Sequence, residues 1–346
     1  MLALISVAPA HRPFYHDGCP YLVFIFPPLS THRFCFWVKI KASRTRLESL
    51  PKPAKRKLSE AVAALVHAGS TNTSKIGDSL PDAPKSAAVR ELWMLRLLGS
   101  TATSEALAIE PFARAELALA AKGGQTPVLC MDQTDIGSRH AILMVALRVG
   151  ARAVPLAWRV EEGEANVGAK AQIELLEQVR GWLPEGCKPI LMGDRFYPSK
   201  ALFEWLKAAG LSWRIRLKGP IGLACSDGRV GKVSDLAKLH GHGGFFDSKA
   251  SLFADGTPMS IGWIWDKGHR EGWAVAMDCE ATRASTLDYQ DRWGTLPTFA
   301  DFKGRGFDLG SSQIRLPERL SKMVLLVALA MRICLASAAE GQKKEG

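Results

Sequence analysis

The chain has 346 residues, of which 47% are hydrophobic and 23% charged, so it can bury one large core with appendages and is not a disordered polymer. Its 45 lysines and arginines outnumber its 34 aspartates and glutamates by 11, a surplus that favours a polyanionic partner such as nucleic acid and leaves the chemistry open. Seven cysteines, an odd number without a C-x-x-C pair, exclude a disulfide framework or zinc knuckle and fit a reducing cytoplasm.

In chain order, residues 1 to 45 form an extension that the sequence leaves uninterpreted. Its apolar run YLVFIFPPLSTHRFCFWVKI is broken by Pro27 and Pro28 and carries His32 and Arg33, so no membrane span is expected there. It also lacks the basic start and small-residue cleavage site of a signal peptide. Residues 46 to 120 read as a basic helical module suited to DNA. RKLSEAVAALVHAG repeats apolar residues at helical spacing, and SAAVRELWMLRLLG sets Val89, Leu92, Trp93 and Leu97 on one side and ends at Gly99 as its cap.

From Pro127 the period shortens. PVLCMDQTD is a strand ending in acids, and RHAILMVALRV and ARAVPLAWRV make a hairpin about Gly150 and Ala151. GAKAQIELLEQVRGW is helical, KPILMGD is a buried strand ending in an acid, SKALFEWLKAAG is a helix closed by Gly210, and LSWRIRLKG is another strand. Antiparallel strands followed by parallel crossovers predict an α/β fold, a mixed sheet flanked by helices. Residues 219 to 280 read as a glycine-rich, β-rich insertion in which His240 and His242 are loop residues and not metal ligands. Helix returns over 285 to 303 and 317 to 338, before a tail at 339 to 346.

Asp132 and Asp194 each follow an apolar strand run, where open α/β sheets present functional groups. Such acids are often helix caps or turn residues. On neighbouring strands, however, two carboxylates can share hard divalent cations, and a pair of such ions about 4 Å apart can activate an attacking oxygen and stabilise a leaving one in phosphoryl transfer.

PVLCMDQTDIG, RAVPLAW, GDRFYPSKALFEWL, WRIRLKG and YQDRWGTLPTFADFKGRGFDLGSSQI resemble bacterial insertion-sequence transposases of family four, over residues 56 to 335. The family signature is Tyr, two residues, Arg, three residues, Glu, six residues, Lys. It falls on Tyr289, Arg292, position 296 and Lys303. The resemblance implies an RNase H-like catalytic domain spanning residues 121 to 338. It also implies a DDE site with Asp132 and Asp194 as catalytic metal ligands, and two Mg²⁺ or Mn²⁺ ions. The implied partners are double-stranded DNA, as terminal inverted repeats and target, and a second copy of the chain in a synaptic homodimer. Tyr289, Arg292 and Lys303 are the implied DNA contacts.

Position 296 departs from the pattern, for it is Leu296, followed by Pro297, where the family carries the third acid. Leucine cannot ligate a cation. Asp301 and Asp291 lie five residues away on either side, roughly 140° around a uniform helix, so neither replaces it. Arg292 and Lys303, eleven residues apart, are expected to share one helical face and grip phosphates, with Tyr289 one turn before. Arg195 and the cations of WRIRLK are further candidate phosphate contacts, and Trp293 and Phe299 are expected in the core. Three readings stay open: a transposase with impaired strand cleavage and transfer, a catalytically inactive DNA-binding remnant, and a metal-dependent nuclease without strand transfer.

Overall fold

The computed structural model describes residues 50–345 except 81–85, 102–104, 164–166 and 266–269, so the extension at 1 to 45 lies outside the described residues. Four helices come first: α1 (Lys52–Ala68), α2 (Thr73–Asp78), α3 (Ala87–Gly99) and α4 (Glu105–Ala120). Gly69, at φ 56°, closes α1 in the left-handed conformation that glycine adopts without Cβ strain. The side chain of Asn72 caps α2 by accepting from the backbone N–H groups of Ser74 and Lys75. Gly77 lets α2 and α3 approach closely, for a Cβ there would lie 3.1 Å from Arg90.

Two expectations for α3 are corrected. Its buried face is Met94, Leu97 and Leu98, while Val89 and Leu92 are exposed, because the helix is apolar on more than one side and its packing against α2 and the C-terminal helix chooses the face. Gly99 is the last helical residue and Ser100 the cap.

The sheet begins with β1 (Val128–Ile136), β2 (His140–Val149) and β3 (Arg152–Glu162), joined antiparallel. Gly150, at φ 57°, makes the tight turn of the second hairpin. Helix α5 (Ala169–Arg180) leads to β4 (Ile190–Gly193), parallel to β1, and α6 (Lys200–Ala209) leads to β5 (Ser212–Arg216), parallel to β4. Ser199 caps α6 through Leu202 N–H, and Gly210 closes it at φ 67°.

The order β3-β2-β1-β4-β5 is the RNase H-like arrangement expected from the sequence. β2 is buried along most of its length, as a strand covered on both faces must be.

The β-rich segment supplies β6 (Gly222–Ala224), β7 (Val230–Lys232), the short helix α7 (Asp235–His240), β8 (Gly244–Leu252), β9 (Thr257–Ile264) and β10 (Trp273–Met277). It does not form a sheet of its own. β10 pairs antiparallel with β5, and the strands continue as β10-β9-β8-β6-β7 into one ten-stranded sheet. His240 ends α7 and stacks on Phe245, and His242 packs on Trp265, so the first is helical where a loop was expected.

The chain returns through α8 (Arg283–Leu287), a 3-10 turn (Asp288–Gly294), α9 (Thr295–Ala300) and a π-wound turn (Asp301–Arg305). It ends in α10 (Pro317–Glu345), which takes in most of the stretch read as a separate tail. The stretch Pro317–Ser337 is long and apolar enough to cross a membrane by composition. Here Leu320, Met323 and every residue from Val324 to Ala330 are buried, and α10 packs on β3 and α1 as a core helix. One hydrophobic core runs from Leu50 to Cys334, so the N-terminal helices share it with the sheet.

Candidate active site

The parallel ladder of β1 and β4 ends at the pair Met131 and Gly193. Asp132 and Asp194 are the next residue on each side, which sets both carboxylates in the crevice where the two strands part. Asp132 was expected at the end of its strand. Instead β1 continues to Ile136, held beyond that point by the β2 hairpin alone.

Each carboxylate has one oxygen tied to the amide that follows it. Asp132 Oδ1 accepts from Gln133 N–H at 3.0 Å, and Asp194 Oδ1 accepts from Arg195 N–H at 2.6 Å. The other oxygens converge on one cation, for Arg292 Nη2 lies 2.9 Å from Asp132 Oδ2 and 3.3 Å from Asp194 Oδ2. Laid end to end, those two distances put the oxygens no more than 6.2 Å apart. Thr295 Oγ1 lies 3.2 Å from Asp132 Oδ2 and 2.9 Å from the carbonyl of Arg292, with one proton for the two acceptors.

The electrostatics follow from burial. Desolvation raises the Asp132 carboxyl above the ordinary carboxylate value, with Asp194 adding to the rise and Arg292 opposing it. Burial works against the charge of Arg292 too, but the carboxylates of Asp132 and Asp194 oppose that cost and the guanidinium stays charged. Burial pushes the thiol of Cys130, behind the crevice, up to about 12 and raises the phenols of Tyr197 and Tyr289.

The remaining signature residues do not lie together. Tyr289 is buried against Trp273, with its hydroxyl lacking a hydrogen-bond partner, as is Arg292 Nε. Trp293 also packs edge-on to Trp273, and Phe299 packs against the main core. Lys303 is exposed in the π-wound turn. The shared face expected for Arg292 and Lys303 does not form, because the segment passes from 3-10 to α to π winding and a uniform 3.6-residue turn does not apply.

Leu296 is the second residue of α9, directly after Thr295. Pro297 is tolerated because it falls in the first α turn. Asp301 is buried and bound to Arg152 at 2.8 Å, away from the acid pair. The Asp291 carbonyl takes a bond from Arg148 Nη1 at 2.6 Å, while the residue itself is exposed.

Of the cations expected on phosphate, the arginines are committed to carboxylates and Lys218 lies over the ring of Phe196. Arg214 is buried against Asp278 and Asp288, and Arg216 and Arg195 both reach Glu271. Sequence reasoning missed Thr295 and the Arg152–Asp301 pair, since neither spacing nor alternation marks a hydroxyl or an ion pair joining distant segments.

These donors do not match a two-ion site. Two carboxylates suffice to share one cation, their free oxygens already hold a guanidinium, and no group of three or more metal-binding side chains occurs among the described residues.

Residues 124–333 match the family described as "Transposase DDE domain". Among solved structures, the chain is similar to the piggyBac transposase synaptic complex with hairpin DNA. The two are 12% identical, the match covers 89% of this chain and 78% of that one, and the TM-score is 0.47. It also matches human ENDOV, at 11% identity over 67% of this chain and 99% of that one, with a TM-score of 0.28. No curated protein matches the sequence.

Proposed function

Because the chain belongs to the Transposase DDE domain family, we propose that it recognises the terminal inverted repeats of its own insertion sequence and that its strand chemistry is impaired at position 296. The observation that carries this reading is the meeting of Asp132 and Asp194 at the end of one parallel ladder, with the signature segment touching Asp132 through Arg292 and Thr295. The family signature puts its third acid at the position after Thr295, and this chain has leucine there.

DNA binding rests on other features. The surplus of 11 positive charges favours a duplex, and exposed Lys303 grips a phosphate at the far end of the signature segment. The helices of residues 46 to 120 contribute further duplex contacts. The protein acts in the cytoplasm, as a homodimer that holds two element ends together. Neither pairing to DNA nor dimerisation calls on the third acid, so both survive its loss. The alternative, a DNA-binding remnant without strand chemistry, draws on the same leucine.

The test is a nicking assay on duplexes carrying the element ends, with Mg²⁺, comparing the unaltered chain with Leu296→Glu and with Leu296→Glu/Pro297→Ala. The expected result is end binding by all three and nicking only by the variants. Nicking by the unaltered chain at the rate of the double variant would overturn the reading, and variants that bind but stay inert would favour the remnant.

A further inference from the structure

Arg292 answers the charge of two carboxylates at once, and the oxygens it holds are the two not already tied to a backbone amide. Those are the oxygens that a cation shared by Asp132 and Asp194 would have to use. We infer that the Arg292 guanidinium is a built-in counter-ion that occupies the shared cation position and competes with divalent ions for it. The inference rests on the reading of Asp132 and Asp194 as the acids of the site.

Three observations favour this over an ordinary structural ion pair. The first is position: the two acids that face this one base stand side by side where the parallel ladder of β1 and β4 ends, whereas Arg214, which also faces two acids, draws one from the end of β10 and one from the 3-10 turn. The second is the hold on the side chain. Its Nε has no hydrogen-bond partner, and the bonds that fix the guanidinium run from Nη2 to the acids. A competitor for those oxygens therefore meets no wider hydrogen-bond network around the guanidinium.

The third is the anchoring of the backbone behind it. Thr298 Oγ1 accepts from Ala153 N–H at 2.8 Å, Arg148 binds the carbonyl of Asp291, and a Cβ at Gly294 would collide with Arg148 at 2.2 Å. The segment is thus fixed on both sides of Arg292, so the guanidinium is delivered to the acids by the fold and leaves only by turning its own side chain.

The experiment measures Mn²⁺ alone, without DNA, by loss of the free-ion electron paramagnetic resonance signal and by the shift of the thermal melt. It compares the full chain with Arg292→Gln, Arg292→Met and Arg292→Gln/Asp194→Asn. Removing a unit charge from contact with the acids is expected to tighten Mn²⁺ binding by about 10-fold or more and to enlarge the Mn²⁺-dependent rise in melting temperature. The gain should vanish in the double variant.

Equal or weaker Mn²⁺ binding by Arg292→Gln would overturn the inference, and so would a gain that persists without the Asp194 charge. Arg292→Met keeps the apolar stem and replaces Arg292→Gln if that variant does not fold. Failure of both to fold even with Mn²⁺ would also overturn it, because a position that a divalent ion can take over is rescued by that ion. End binding by the same proteins is measured separately. Unchanged Mn²⁺ affinity with end binding intact defeats this inference alone, whereas loss of end binding with the Mn²⁺ gain preserved defeats only the functional reading.

Discussion

Two buried arginines fasten the signature segment to the sheet, and they do so in different ways. At the far end, Arg152 of β3 meets Asp301 at 2.8 Å, each side chain 6% exposed. At the near end, Arg292 meets Asp132 and Asp194, with Asp194 22% exposed at the mouth of the crevice. The first pair is closed off from solvent on both sides, as a fastener is. The second sets two carboxylates against one guanidinium in the place where the strands part, and one of those carboxylates, Asp132, is raised above the ordinary value by its burial.

The largest expected effect tests the fastener. Arg152→Met takes the guanidinium from a carboxylate buried with it, and should cost about 3–5 kcal/mol in urea unfolding, while Arg152→Met/Asp301→Leu should recover most of that loss. A loss no larger than that of a surface substitution would erase the contrast.

Next comes Thr298→Val, expected to cost about 1–3 kcal/mol because the N–H of Ala153 and the hydroxyl's acceptors Ala153 O and Gly294 O lose their partner. Its counterpart at the crevice, Thr295→Val, should cost less, about 0.5–1.5 kcal/mol, because Asp132 keeps both Arg292 and the amide of Gln133.

Asp194→Asn sharpens the comparison further, since it relieves excess charge at a partly exposed position and should change stability by only about 0–1 kcal/mol. A cost as large as that of Arg152→Met would make the crevice a second fastener. The smallest stability effect belongs to Lys303→Ala, expected within about 0.5 kcal/mol of the parent. Its signature lies elsewhere: the slope of log affinity for an element-end duplex against log salt should flatten by about one. An unchanged slope removes Lys303 from the contact set.

The same contrast explains what the sequence disclosed. The ladder of strands was legible because alternation and buried apolar runs are local, and Asp132 and Asp194 stood out as acids closing such runs. That Asp132 lies inside β1 was not legible, since a strand's length depends on which neighbour goes on pairing with it, and here β2 continues after β4 has stopped.

Arg292 was expected on an outward face because eleven residues approximate three turns of a uniform helix, and no pattern announces a change of winding across seven, six and five residues. Val89 and Leu92 misled for a related reason, as a helix apolar on more than one side leaves the choice of face to its neighbours. The arginines of WRIRLK were read as candidate phosphate contacts because their acids, Glu271, Asp278 and Asp288, come more than fifty residues later.

The attachment of β10 to β5 has a consequence for the order in which the chain takes shape. β5 ends at Arg216 and the strand that covers its edge begins at Trp273, so a growing polypeptide completes β1 to β5 and then carries an open edge with Trp213 and Ile215 in it while the intervening residues are still being made. Such an edge is a template for wrong pairing between nascent copies. At about 5–20 residues per second the wait lasts several seconds, long enough for neighbouring chains on one message to meet. Yield from the ribosome should therefore depend on how soon β10 arrives, and shortening the insertion between β6 and β9 acts first on the fraction of chains that escape aggregation.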